Sequence, residues 1–175
     1  MREKDKKINE VASFFISLNN DLDDIIIKRG FTNKKLQKLL YFAQAWYLAF
    51  NQTPLFESDF QAWIHGPVNP AVYQRFKKFG FEQIDEKIDI DGLQLLSNKE
   101  KDFLIMIFES YVSFDAQYLE ALSHQDIPWI HARNLYSHNM PSSNIISKDE
   151  IQKEYEKKIS ETKEKFLNAK RKLSQ

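Results

Sequence analysis

The chain has 175 residues, 42% of them hydrophobic, enough to fill one core and too short for two comfortable domains. Twenty-five basic residues balance 25 acidic ones, without the basic excess of a protein that neutralises many phosphates. Cysteine is absent, which excludes disulfides and thiolate metal sites, and four glycines and five prolines favour helices over a turn-rich sheet.

Ile8, Val11, Ala12 and Phe15 recur at helical spacing and predict an amphipathic first helix over 4–18. DLDDIIIKRG (21–30) fits either a short helix or a buried extended segment. Thr32 then stands as a cap, with Phe31 and Leu36 at staple positions. The helix it opens, reaching Phe50, is apolar on nearly every side and so belongs at the centre of a bundle. Its apolar run from Leu39 to Phe50 is far below the ~20 residues that span a bilayer. MREKDKKINEVASFF lacks the apolar core of a signal peptide, so the expectation is a cytoplasmic protein without membrane contact.

FQAWI (60–64) reads as extended, Gly66-Pro67 as a turn, and Asn69-Pro70 as an N-cap with a first-turn proline. Val68 and Tyr73 fall at staple positions. That helix is expected to run to about Phe79 and stop at Gly80, with Lys77 and Lys78 in its last turn. Ile88/Ile90 and Leu93/Leu95 alternate around Asp91-Gly92 and predict a β-hairpin over 87–96. Ser97-x-x-Glu100 is a capping box before Phe103, Leu104, Ile107, Phe108 and Tyr111. Ser113 is expected to cap FDAQYLEAL, and Pro128 to start a short helix. Ser147-x-x-Glu150 opens a long last helix, with Ile146 and Ile151 as its staple. From Tyr155 its less polar positions, Ile159, Thr162, Phe166, Ala169 and Leu173, follow the steps of a coiled-coil seam. The fold class is mainly α: a compact single-domain helical bundle around a buried central helix, with a short hairpin near 87–96 and a long C-terminal helix.

Catalytic chemistry finds little support. His124, His131 and His138 are spaced by seven, about 10 Å apart on a helix and too far to share a metal ion; Pro128 also interrupts the run. There is no G-x-S-x-G and no Gly-rich phosphate loop. Adjacency of Ser123 and His124 does not aim a base at a nucleophile. No catalytic residue, metal or cofactor is expected, and the chain is not read as an enzyme. Trp46 is read as core. Trp63 and Trp129 each sit beside a proline-marked corner, where indoles either plug a gap or line a ligand box.

Three ordered blocks, KLQKLLYFAQAWYLAF (35–50), LFESDFQAWIHGPVNPAVYQRFKKFG (55–80) and LEALSHQDIPW (119–129), resemble the Panacea domain, the SocA-like antitoxin family of bacteria and phages. Lys35, Leu36, Gln37, Lys38 and Leu39 match the first motif; Ala62, Trp63, Gly66, Pro67, Val68 and Tyr73 match the second. His124, Pro128 and Trp129 match the third, where Ser123 replaces the usual threonine. His65 occupies a place often held by tyrosine or another polar residue. The resemblance covers roughly 8–155, making 1–158 the antitoxin domain and 159–175 a helical extension. It implies structural roles for these motif residues and an antitoxin that neutralises a protein toxin encoded nearby, by direct binding. The alternatives are an adaptor that delivers the toxin to a protease component and a DNA-binding autoregulator, the latter disfavoured by the zero net charge. Ile159, Phe166 and Leu173 are the candidate partner-binding seam, for the toxin or for a second copy in a homo-oligomer. The same seam could instead fold back on its own bundle or fray.

Overall fold

The computed structural model describes residues 1–133 and 140–173, without the side chains of 166 and 168–173. Chain order gives helices α1 (Lys6–Asn20), α2 (Ile25–Arg29) and α3 (Asn33–Asn51), then strands β1 (Gln61–Trp63) and β2 (Gly66–Val68). Helices α4 (Pro70–Phe76), α5 (Asn98–Tyr111), α6 (Ala116–Ser123), α7 (Ile127–Ala132) and α8 (Lys148–Leu173) follow. The fold is mainly α, as the sequence predicts.

Helix α1 buries Ile8, Val11, Ala12, Phe15 and Ile16 completely. The ambiguous IIIKR is helical: Asp24 accepts from the amides of Ile26 and Ile27, and the cap outweighs the β-branched run. Ile25 and Ile26 face outward. Thr32 Oγ1 accepts from Lys35 N at 3.3 Å and starts α3, which packs against α1, α4, α5, α6, α8 and β2. Leu36, Leu39, Leu40 and Tyr41 are sealed within it. Buried Gln44 reverses the chain beyond α3, accepting from Leu55 N (3.0 Å) and donating to Phe56 O (2.9 Å).

The observed hairpin is β1–β2, antiparallel, with Ala62 opposite Pro67 and Trp63 opposite Gly66. Its turn is Ile64-His65, so Gly66 and Pro67 lie in β2 rather than in the turn the sequence predicts. Pro67 is tolerated because β2 is an edge strand, where no ladder amide is needed. On the other side of β1, Ala62 N donates to Asn144 O and Ile146 N to Phe60 O, each at 2.9 Å. Asn69 Oδ1 then caps α4 at Val72 N (3.1 Å), and a 3-10 turn, Lys77–Phe79, ends at Gly80.

The hairpin expected over 87–96 is not there. The Asp91-Gly92 turn does form, with Leu93 N donating to Ile90 O at 3.1 Å and Asp89 Oδ1 accepting from Asp91 N at 3.2 Å, but no ladder follows it: Glu10 Oε2 takes the Leu95 amide at 2.7 Å. Ile88 and Leu93 still pack on the core, while Ile90 and Leu95 stay exposed. The Ser97/Glu100 capping box forms in full. Helix α6 is capped by Asp115, not Ser113: its carboxylate accepts from Tyr118 N at 2.7 Å, and a charged acceptor two residues later sets the start. Ser147 Oγ accepts from Glu150 N at 3.4 Å, and α8 lays Ile151 and Tyr155 into the core beside α3. Among the described residues no helix is long and apolar enough to cross a membrane.

Candidate functional site

The three motif blocks converge on the β1–β2 hairpin. Lys38, on α3, is fully buried and donates from Nζ to Pro67 O at 3.1 Å. Burial pushes its ammonium down to about 7, although the Glu120 carboxylate opposes this. Gln37 Oε1 accepts from Asn69 N at 2.8 Å, fixing the start of α4. Lys35 Nζ reaches Val112 O at 2.5 Å beyond the end of α5; burial brings it to about 8, with Asp115 pulling the other way. Leu36, Leu39 and Val68 are buried.

Gly66 sits at φ +94°, and a Cβ there would lie 2.6 Å from Ser123 Oγ and 2.8 Å from Lys38 Nζ. Ser123 Oγ donates to Glu120 O at 2.8 Å. The His124 ring stacks on Trp129 at 4.2 Å and hydrogen-bonds the Ile64 backbone. Burial holds His124 below its usual range, though Glu120 opposes this. Trp129 Nε1 closes the joint by donating to Trp63 O at 3.2 Å, with Pro128 buried beside it. Trp63 meets Tyr73 edge-on at 4.9 Å, so Tyr73 packs on the hairpin. Glu120 is raised by burial, yet Lys34 and His65 hold its carboxyl below the usual range.

A serine hydroxyl and a near-neutral lysine on either side of Gly66 have the composition of a nucleophile and its base. Their placement does not suit that role. Ser123 and Lys38 are sealed from solvent, and each already donates to a main-chain carbonyl. They clamp the hairpin between α3 and α6. Trp129 is a plug, 3% exposed. Trp63 and His65 border an open cavity of about 480 Å³ at the hairpin turn. His131 lies 3.5 Å from Glu150, and His138 falls outside the described residues. Among the described residues no group of three or more His, Asp or Glu is placed to hold a metal ion.

The clamp has a pH signature. Lys38 titrates near 7 when folded and near 10.4 when unfolded, so in between the unfolded chain holds the extra proton and stability rises with pH. Lys35 adds the same sign only above about 8. Urea denaturation should show wild type gaining about 1 kcal/mol between pH 7 and 8, and Lys38→Met losing most of that rise. Parallel curves for the two proteins would show that Lys38 does not titrate there.

A second feature lies where α3, α5, α6 and α8 meet: a pocket of about 450 Å³. Phe42 stacks on Tyr111 at 4.7 Å, and Trp46 Nε1 donates to Tyr111 OH at 2.8 Å. Trp46 also meets Tyr155 edge-on at 4.8 Å. The polar end is Asp126, 2% exposed, which accepts from Tyr155 OH (2.7 Å) and Lys158 Nζ (2.5 Å). Burial and Asp126 together push the Tyr155 hydroxyl well above its usual range. Trp46 is partly buried and packs against the core, as its sequence reading has it, while its ring also forms a wall of this pocket. The spacing of Phe42, Trp46 and Phe50 on one face of α3 was the available signal; Asp126 carried none. Of the predicted seam, Ile159 packs half-buried on the core, and the side chains of Phe166 and Leu173 are outside the described residues.

These features define a small helical module whose polar motif residues Lys35, Gln37 and Lys38 face inward as joints. The family described as Antitoxin SocA-like, Panacea domain, matches residues 36–130, more than half of the chain, and the chain belongs to that family. It is similar to Antitoxin SocA of Caulobacter vibrioides (strain NA1000 / CB15N), 36% identical over 75 residues, 41% of this chain and 40% of that protein. The match thus spans well under two thirds of the relative's length. No solved structure matches.

Proposed function

We propose that this chain is the antitoxin of a bacterial or prophage toxin–antitoxin pair, acting in the cytoplasm without catalysis, and that it neutralises its toxin by binding and covering it. The observation that carries this reading is the family match over residues whose side chains build the fold. With those residues buried, one scaffold can serve many partners, and specificity belongs to the outer face. The experiment is co-expression with each gene flanking its own. Growth arrest by one neighbour, relieved by this chain, is the expected result; no arrest or no relief from either neighbour sinks the reading. Toxin level separates covering from delivery to a protease: a covered toxin accumulates in the complex, a delivered one disappears.

We assign residues 1–158 to the antitoxin domain and 159–175 to a helical extension that meets the toxin. Residues 161–165 and 167 are exposed along α8, and Ile159 packs only in part. Truncation after Lys158 is therefore expected to lower melting by at most about 2–4 °C while weakening neutralisation. Full neutralisation by the truncated chain would remove the extension from the interface.

A further inference from the structure

The aromatic pocket continues onto an exposed stripe. Phe114 and Tyr118 are 39% and 48% exposed and stack at 4.7 Å. Tyr118 and Leu122 are four residues apart on α6, hence neighbours on one face, and Leu122 lines the pocket. The stripe thus leads from open aromatic surface into a cleft whose deep end is charged.

That end has a sign. It holds two carboxylates, Asp126 and Glu154, against one ammonium, Lys158. Lys158 sits 2.5 Å from Asp126 but 3.8 Å from Glu154, so Glu154 is the less engaged acceptor. The Lys158 ammonium also lies 4.2 Å over the Tyr155 ring, an arrangement that displays the chemistry the site accepts: a cation held between ring faces and carboxylates. The Trp46 and Tyr111 rings stand in the same pocket with no cation of their own among the described residues. The lining of the pocket carries one more carboxylate than ammonium.

Resting on the antitoxin reading, we propose that the α6 stripe and this pocket are the docking surface for the toxin, which presents an arginine or lysine side chain beside an apolar one. The basic head pairs with Glu154 against Trp46 and Tyr111, and the apolar neighbour lies along Leu122, Tyr118 and Phe114. A neutral or acidic side chain in that position would desolvate Glu154 without compensation.

Two measurements on the full chain test this. In the first, n-butylguanidinium is titrated against the 15N-labelled protein, with the neutral isostere n-butylurea as control. The indole N–H of Trp46 should shift with millimolar half-saturation, those of Trp63 and Trp129 should stay, and Glu154→Gln should remove most of the effect. Equal shifts with the urea, or an unchanged response in Glu154→Gln, overturn the pocket assignment. In the second, Glu154→Lys, Glu154→Gln and Tyr118→Asp are co-expressed with the flanking toxin after their melting is checked. The expected result is roughly tenfold or greater loss of affinity in the folded variants. Full neutralisation by all three overturns the docking surface while leaving the antitoxin reading intact; failure of the wild-type chain to neutralise strikes the antitoxin reading itself. A wild-type dimer that Tyr118→Asp splits into monomers would give the stripe to a second copy and overturn the proposal.

Discussion

Gly66→Val is expected to abolish cooperative folding, or to cost at least about 4 kcal/mol if a native state survives. Two independent penalties coincide at this residue. The backbone at φ +94° is closed to a β-branched side chain. The added Cβ would also meet Ser123 Oγ at 2.6 Å and Lys38 Nζ and Cε at 2.8 and 2.9 Å. Neither neighbour can retreat cheaply: Lys38 is tethered to Pro67 O and Ser123 to Glu120 O, and both lie in a packed interior. Gly80 separates the two penalties. It too has positive φ, at +56° with ψ −118°, but nothing lies within 4 Å of its would-be Cβ, so Gly80→Ala should carry the backbone strain alone, about 1–3 kcal/mol. Urea denaturation of the three proteins decides the matter. Wild-type-like unfolding of Gly66→Val would mean that the hairpin does not sit against α3 and α6.

The same joint shows what a sequence can and cannot disclose. Caps are local chemistry, a side-chain oxygen within three residues of a free amide, and Thr32, Asn69 and the Ser97/Glu100 box all act where the pattern places them. The failures arise where two local signals compete. Ser113 and Asp115 are both capping residues by type, and the charged acceptor two residues on is the one that meets the Tyr118 amide. The alternation over 87–96 does produce its turn, closed by Leu93 N on Ile90 O, but the ladder does not continue, because Glu10 takes the Leu95 amide. The burial of Lys35 and Lys38 was invisible for another reason. A lysine on a helix is usually solvated, and its internal carbonyl partners, Val112 and Pro67, lie 77 and 29 residues away in sequence.

The candidate docking surface was less legible still. Trp46 packs on the core as an apolar α3 implies; that it also walls a pocket depends on three neighbouring helices, α5, α6 and α8, which α3 alone does not reveal. Asp126 gave no signal as a lone acidic residue before Pro128. Its importance comes from Tyr155 and Lys158, which a separate helix brings to it. Function of this kind resides in the meeting of surfaces, and a linear pattern records only each surface by itself.

The α8 side of that meeting yields the second large effect. Tyr155→Ala should destabilise the protein by about 3–5 kcal/mol, the range for emptying a buried aromatic site. The side chain is 1% exposed, lies edge-on to Trp46 at 4.8 Å, and donates to Asp126 at 2.7 Å. Its removal opens a cavity and strips a buried carboxylate of one of its two donors. Tyr155→Phe keeps the ring and loses only the donor, so its cost should be smaller, about 1–3 kcal/mol. Urea denaturation gives the ranking, and hydrogen exchange adds its location, since α8 should lose protection in the alanine variant ahead of α3. Equal losses for the two variants would place the energy in the hydroxyl alone; no loss for alanine would mean that α8 is not seated on α3. Because α8 carries Glu154 and Lys158, its undocking should also erase the Trp46 response to n-butylguanidinium. Tyr155→Phe, with α8 still seated, should retain it.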